Sequence, residues 1–334
     1  MSARPETRAA VALIGGGRIG KIHAANAAAH PALTLKYVID PVGDAAAMLA
    51  ARHGAAATTL VSALADPAVA GVIVASPTDQ HLAHCQQAAA AGKAIFCEKP
   101  VDLSAERARA AALGRARLFL GFNRRFDPNF RALRHKLQAG TIGSLETLHI
   151  ISHDPAPPPV SYIKVSGGLF KDMTIHDFDV ARWLLAEPIV EVYAMAACLV
   201  DPAIGAADDI DTAKVLLRTA SGRIALISNS RRSGYGYDQR IEAFGSGGSV
   251  RVDNMTANTV SVWDEEGANR APFQNFFLER YAEAYRLEMD HFAAVLRGEE
   301  PAVGFTDGIH ALELAEAAER SYTTGRPVAL SGGA

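Results

Sequence analysis

Over the first 120 positions, apolar residues come in short continuous runs that stop at glycine, proline or a charged residue. The stretch 33–39, interrupted by Thr34 and Lys36, reads as a further strand, and residues 9–14, 71–75, 94–97 and 118–122 are such runs. Each has the length and the branched-aliphatic content of a strand buried on both faces of a parallel sheet. Alanine-rich stretches with helical spacing, 17–29 and 81–91, lie between them, and weaker signals at 54–59 (strand) and 61–65 (a turn of helix) fit the same alternation. Strands alternating with helices predict a doubly wound parallel sheet. After residue 122 the pattern changes. Pro128 suits the first turn of a helix over 128–139, and 144–152 is rich in β-formers. A proline-rich loop at 154–159 is expected to wall the substrate side, since it cannot enter a sheet interior. Strands then follow at 190–199, 211–218, 223–231, 237–244, 248–252 and 259–262, joined by glycine-bearing turns. With no helix between them they predict a large open antiparallel sheet. Helices over 279–297 and 306–323 close the chain. The expected organisation is a doubly wound α/β domain over 1–122 and an α+β domain over 123–334.

The first strand ends in Gly15-Gly16-Gly17-Arg18-Ile19-Gly20, which satisfies G-x-G-x-x-G. The first glycine permits the tight turn, the second lets a pyrophosphate approach the backbone, and the third lets helix pack on strand. A glycine-rich turn alone says little, but here a strand precedes it, a helix follows it, and the second strand ends in Asp40, twenty residues after Gly20. That context predicts a Rossmann dinucleotide site. A carboxylate at Asp40 accepts hydrogen bonds from the ribose hydroxyls and repels a 2′-phosphate, and no arginine or lysine follows closely, so NAD is expected as cofactor. Asp40-Pro41 also reads as a turn former, which explains the turn and nothing more.

Composition narrows the partners. With 33 basic against 36 acidic residues, no charge field invites nucleic acid or an anionic membrane, and a small molecule is the expected partner. Cys85, Cys97 and Cys198 are too scattered for a disulfide framework or a zinc site, and free thiols suit the cytoplasm. His81 and His84 sit one turn apart, but no cysteine or carboxylate cluster completes a ligand set, so no metal is expected. Residues 1–8 run into a short apolar stretch that ends in glycines, read as neither a signal peptide nor a membrane span.

Residues 168–185 carry the chemistry. A helix starting near Asp172 puts Asp172, His176 and Asp179 on one stripe and Ile175, Phe178, Ala181, Arg182 and Leu185 on another. An imidazole backed by a carboxylate one turn earlier is a natural general base for an alcohol proton. Read alone, the stretch is equally an N-capped helix with a half-buried histidine. Glu98-Lys99-Pro100 follows the 94–97 strand, and Pro100 keeps Lys99 extended at the carboxyl edge of the sheet, where ligands bind in such folds. There its ammonium can hydrogen-bond a substrate hydroxyl, or simply pair with Glu98.

Gly15–Gly20, Glu98-Lys99-Pro100, Gly121-Phe122-Asn123-Arg124-Arg125-Phe126-Asp127 and above all 168–185 resemble the Gfo/Idh/MocA oxidoreductase family. Residues 235–242 and the 154–159 loop resemble its inositol dehydrogenase branch. The likeness covers nearly the whole chain, with one departure: 111–118 is a few residues short. It implies an N-terminal Rossmann domain, a C-terminal domain with an open antiparallel sheet, and a homotetramer built through those sheets. It further implies NAD-dependent oxidation of myo-inositol or a related inositol to the inosose. Lys99, Asp172 and His176 take the catalytic positions, with Asn123, Arg124, Asp154, Asp179 and Tyr235 near the polyol. For Arg124 and Asp179 a salt bridge between elements is the alternative. The cofactor set is Gly15, Gly17, Arg18, Ile19, Gly20 and Asp40, joined by Ser76, Thr78, His81 and Glu98. Another cyclic polyol or an aldose is the alternative substrate. A non-catalytic NAD-binding sensor is the reading from a different class, and it would have no need of Lys99, Asp172 and His176 together.

Overall fold

The computed structural model describes residues 8–330. The segment 1–7, read above as neither signal nor span, and the tail 331–334 lie outside the described residues. The chain forms two compact units: residues up to Asn123 with Ala284–Ile309, and Arg124–Glu283 with the chain from His310 onward. The split expected after residue 122 treated the units as consecutive stretches. Instead, 284–309 return to the first unit.

In that unit β1 (Ala9–Ile14), β2 (Leu33–Ile39), β3 (Ala56–Ala57), β4 (Val69–Val74), β5 (Ala94–Glu98) and β6 (Leu118–Gly121) form an all-parallel sheet in the order β3-β2-β1-β4-β5-β6. This is the doubly wound order expected of a Rossmann unit. The connections carry α1 (Arg18–Ala29), α2 (Gly43–Arg52), α3 (Leu60–Ala65), α4 (His81–Ala90) and a six-residue α5 (Ala105–Ala110). Val11, Leu13, Val72, Ile73, Val74, Ile95 and Phe96 are fully buried, which is why the strands read as unbroken apolar runs. The returning segment completes this core. Phe292 packs its ring 5.6 Å from Phe96, and Leu120 donates its N–H to the Val303 carbonyl at 2.9 Å. A Cβ on Gly71 would sit 2.7 Å from the Leu296 side chain, so the strand needs glycine there.

The second unit runs α6 (Pro128–Gln138), β7 (Leu145–His153), α7 (Val160–Ser166), a π turn at Phe170–Thr174, α8 (Ile175–Leu185), β8 (Ile189–Ala197), α9 (Pro202–Gly205), β9 (Thr212–Thr219), β10 (Ile224–Ser230), β11 (Asp238–Gly245) and β12 (Gly248–Val252). The hairpin β13 (Ser261–Asp264) and β14 (Gly267–Arg270) follows, then α10 (Phe277–Arg280); α11 (Ala282–Leu296) lies almost wholly in the segment that returns to the first unit, and most of α12 (Phe305–Thr324) with β15 (Val328–Ala329) closes the second. Seven strands form one sheet, β12-β11-β7-β10-β9-β8-β15. Two expectations are corrected here. The sheet is mixed, because β7 and β10 pair in parallel. The helices between β7 and β8 let β7 enter beside a later strand, whereas the strands from β8 to β10 meander antiparallel. The strand near 259–262 pairs only with β14, apart from the large sheet. Along β9, Ala213, Val215 and Leu217 are buried while Lys214, Leu216 and Arg218 are exposed, so one face of the sheet is covered and the other open. Ile175, Phe178, Ala181 and Leu185 of α8 are fully buried, as the stripe predicted.

Candidate active site

The dinucleotide loop has the geometry a phosphate needs. Gly15 adopts φ +101°, and a Cβ there would lie 2.4 Å from the Ala75 carbonyl oxygen. A Cβ on Gly20 would lie 2.0 Å from the Gly15 oxygen, so helix and loop touch only because both are glycine. At Gly17 a Cβ would meet nothing within 4 Å, and no side chain caps α1, which leaves its first N–H groups for an anion. Asp40 at the end of β2 accepts from the Gly16 N–H at 2.7 Å and the Val42 N–H at 2.8 Å. The turn-forming reading of Asp40 is therefore met, and the same bonds lock its carboxylate beside the loop. These residues fit a dinucleotide. Turnover efficiency with NAD is expected to exceed that with NADP by at least ~10-fold, or about 1.4 kcal/mol. Equal use of the two in steady-state assays would remove that role from Asp40.

Other expected cofactor residues are placed differently. Ser76 bonds His84 through its hydroxyl at 3.0 Å, and Thr78 opens a short 3₁₀ turn. His81 is buried, with Nδ1 2.7 Å from the Pro100 carbonyl oxygen and Nε2 2.8 Å from that of Ser76. Both ring nitrogens thus face backbone carbonyls, to one of which the neutral ring donates, and His81 braces the strand-end loops. Burial pushes its imidazole below the ordinary histidine value. Glu98 binds buried His23 of α1 at 2.7 Å, and Lys99 follows, half-buried. Sequence reasoning missed His23 and also Glu288, a fully buried glutamate whose carboxyl oxygens have no hydrogen-bond partner among the described residues. Burial, then the charge of Glu98, pushes that carboxyl well above the carboxylate range. Asn123 is buried, and its Oδ1 has no partner.

The second unit holds the proton-transfer candidates. The helix expected from Asp172 begins instead as the π turn, and α8 starts at Ile175. The wider turn splits the expected stripe: Asp172 and His176 stay half-buried, while Asp179 is fully buried. Tyr162 donates its hydroxyl to Asp172 Oδ1 at 2.8 Å, and the Arg231 guanidinium lies 3.3 Å from Oδ2. Asp154, fixed by its N–H to the Ser230 carbonyl at 2.8 Å, has its carboxyl pushed up to about 7, chiefly by burial. Arg231 opposes that rise and Asp172 adds to it.

The salt-bridge alternative is realised for both Arg124 and Asp179, with different partners. Arg124 binds Asp177, a carboxylate that sequence reasoning missed, and also donates to the Ser152 hydroxyl at 3.0 Å. Asn229 donates to the other oxygen of Asp177 at 2.7 Å. Burial pushes Asp177 up even against Arg124; burial works against the Arg124 charge too, but Tyr281 and Asp177 hold that guanidinium above its usual value. Asp179 accepts from Arg125 Nε at 2.8 Å and Nη2 at 2.5 Å, a two-pronged pair. Tyr235 is about half exposed and donates to Asp238 Oδ2 at 2.7 Å. Asp154, Asp172 and Arg124 thus share one electrostatic neighbourhood with Asp177 and Arg231, while Asp179 and Tyr235 engage other partners. Among the described residues, no three His, Cys, Asp or Glu side chains are grouped to hold a metal ion.

Comparison with known proteins covers both halves of the chain. Residues 9–114 match the oxidoreductase family with the NAD-binding Rossmann fold, and 130–251 match the GFO/IDH/MocA C-terminal domain. An inositol 2-dehydrogenase of Rhizobium meliloti is 47% identical, covering 96% of this chain and 98% of its own. The crystal structure of a myo-inositol dehydrogenase from Corynebacterium glutamicum superposes with a TM-score of 0.93 at 44% identity, over 97% of this chain and 99% of that one. A scyllo-inositol dehydrogenase from Lactobacillus casei, solved with bound NAD(H) and scyllo-inositol, has a TM-score of 0.89 at 28% identity, over 97% and 99% of the two chains.

Proposed function

Because this chain belongs to the Gfo/Idh/MocA oxidoreductase family, whose first domain is an NAD-binding Rossmann fold, we propose that it oxidises one ring hydroxyl of myo-inositol, or of a closely related inositol, to the inosose. The observation that carries this reading is the half-buried His176, which follows a π turn whose Asp172 is held by Tyr162 and Arg231. His176 takes the proton as the O–H bond breaks, and Asp172 orients the imidazole and balances its charge. Lys99, at the carboxyl end of β5, donates to the reacting oxygen and favours loss of its proton. NAD, when bound, supplies the acceptor for the hydride that leaves with the C–H electron pair. Asn123, Arg124, Asp154, Asp179 and Tyr235 complete the proposed polyol set. With Asp179 and Arg124 already in ion pairs, their role there is to fix neighbouring groups as much as to touch a hydroxyl. Asp154, poised near neutrality, can donate or accept, which suits a hydroxyl that does both.

A ring with a hydroxyl on every carbon rewards donors and acceptors on several sides, and such a site penalises a ligand that leaves one unpaired. Open-chain polyols must also lose torsional freedom. Steady-state assays with myo-inositol, scyllo-inositol, chiro-inositol, glucose and sorbitol are therefore expected to rank an inositol first, glucose slower and sorbitol poor. A clear lead for sorbitol or glucose would leave only the wider family. The same reading carries cytoplasmic placement, which the free thiols of Cys85, Cys97 and Cys198 suit. It also carries a homotetramer joined through the open sheet face, where Met195, Leu216, Ile224 and Phe244 are exposed. A solution mass of one or two chains would refute that assembly.

A further inference from the structure

Asp172 is held by groups that no part of the proposed proton transfer uses. It sits in a π turn that runs directly into α8, and contacts from outside the turn set the direction of its side chain. Three side chains from other segments of the same unit supply that direction. Tyr162 of α7 donates to Oδ1 at 2.8 Å. Arg231, just beyond β10 and 1% exposed, brings Nη1 and Nη2 to 3.4 and 3.3 Å from Oδ2. The same guanidinium lies 3.8 Å from Asp209 Oδ2. Asp209 in turn accepts, through Oδ1, the Leu169 N–H at 3.0 Å, one residue ahead of the π turn. A Cβ on Gly168, at φ +80°, would lie 2.9 Å from that oxygen, so the chain entering the turn is pressed onto Asp209. Arg231 donates its backbone N–H to the Asp211 carbonyl at 2.8 Å, which ties the base of its side chain to the segment that carries Asp209.

One buried fork therefore hydrogen-bonds one carboxylate and lies within ion-pair range of a second. The first lies inside the π turn, and the second pins the chain at the turn's entrance. We propose that Arg231, anchored by Asp209, is a positioning residue that sets the Asp172 carboxylate for proton transfer at His176, with Tyr162 holding the other oxygen. The inference rests on the role given to Asp172 above. A guanidinium can serve both carboxylates because its donors are spread over a rigid plane; an ammonium at the same place is a point charge on a flexible stem. Arg231→Lys thus keeps the charge and loses the geometry. Misplacing a reacting group by about 1 Å costs on the order of a hundredfold in rate, and a loosened carboxylate one step from the base should cost part of that.

The test is a double-mutant cycle on the full-length enzyme with an inositol it oxidises. Arg231→Lys should lower kcat by about 10-fold, with KM for the polyol and the dissociation constant of NAD within about 2-fold of the parent. Tyr162→Phe, at an exposed residue that removes only the hydroxyl, should lower kcat by about 3-fold. In an Asp172→Asn background both changes should lose most of their effect, because the group they position is already impaired. An Arg231→Lys effect of equal size in both backgrounds would make Arg231 a structural residue only and overturn the inference, as would an unchanged kcat in the parent background. If Arg231→Lys does not fold, the Tyr162→Phe cycle decides by the same criterion. Should Asp172→Asn itself keep parental turnover, the role of Asp172 and this inference fall together. An impaired Asp172→Asn without coupling sinks the inference alone.

Discussion

His176→Ala is expected to lower turnover by on the order of a hundredfold or more while the NAD dissociation constant stays within about 2-fold. The separation follows from where the groups lie. His176 stands on α8 in the second unit, whereas the glycine loop, the uncapped start of α1 and Asp40 all belong to the first. Removing the imidazole deletes the proposed proton acceptor and leaves the dinucleotide loop untouched. Lys99→Ala should lower turnover similarly, since it removes the proposed donor at the reacting oxygen. Stopped-flow or steady-state rates, paired with fluorescence titration of NADH, separate the two quantities. Near-parental turnover of either variant with the best inositol would mean that the proton leaves by another route.

Asp177→Ala should destabilise the second unit by about 3–5 kcal/mol, the usual cost of stranding one member of a buried ion pair. Asp177 is fully buried and accepts from both Arg124 and Asn229, while Arg124 is 4% exposed. Deleting the carboxylate leaves a guanidinium with the Ser152 hydroxyl for company and no counter-charge at Asp177. Thr174, in the π turn, donates to the Asn229 side-chain oxygen at 2.7 Å, so the loss reaches the segment beside His176. Asp177→Asn keeps one acceptor and should cost less. Urea denaturation followed by the signal of the second unit measures both. A midpoint for Asp177→Ala equivalent to a change under about 1 kcal/mol would show that the pair is not the buried anchor described.

Much of the fold was legible because burial on both faces of a parallel sheet leaves an unbroken apolar run, and G-x-G-x-x-G with Asp40 twenty residues on leaves few alternatives. The 33–39 strand agrees with β2 end to end. The parallel pairing of β7 with β10 was not legible, since strand composition does not say which neighbour a strand takes when helices intervene. The return of 284–309 was hidden for a related reason: an amphipathic helix announces that it buries a face and is silent about its partner. In the candidate site, Asp172 and His176 stand out in the sequence by a spacing of four. The pairing of Arg124-Arg125 with Asp177 and Asp179 could not be assigned, because two adjacent arginines and two carboxylates two apart admit either match. A pair of arginines followed in a later helix by Asp-x-Asp was a usable signal for buried pairing, and it was read for Arg124 and Asp179 but not for Arg125 and Asp177. Arg231 and Tyr162 had no local signal, since they reach Asp172 across 59 and 10 residues of sequence.

The route of the chain through the first unit has a consequence for its birth on the ribosome. The parallel sheet finishes at Gly121, yet the residues that cover it, Phe292 among them, are translated after strands β7 to β12 of the large mixed sheet. At synthesis rates of about 5–20 residues per second, the nascent cofactor unit waits many seconds with Phe96 and Gly71 uncovered. The mixed-sheet unit lacks only its last helix and strand by then, so both units are completed only by chain from residue 284 onward. A gene fragment ending before residue 284 would encode the glycine loop and Asp40 without the lid of their own core.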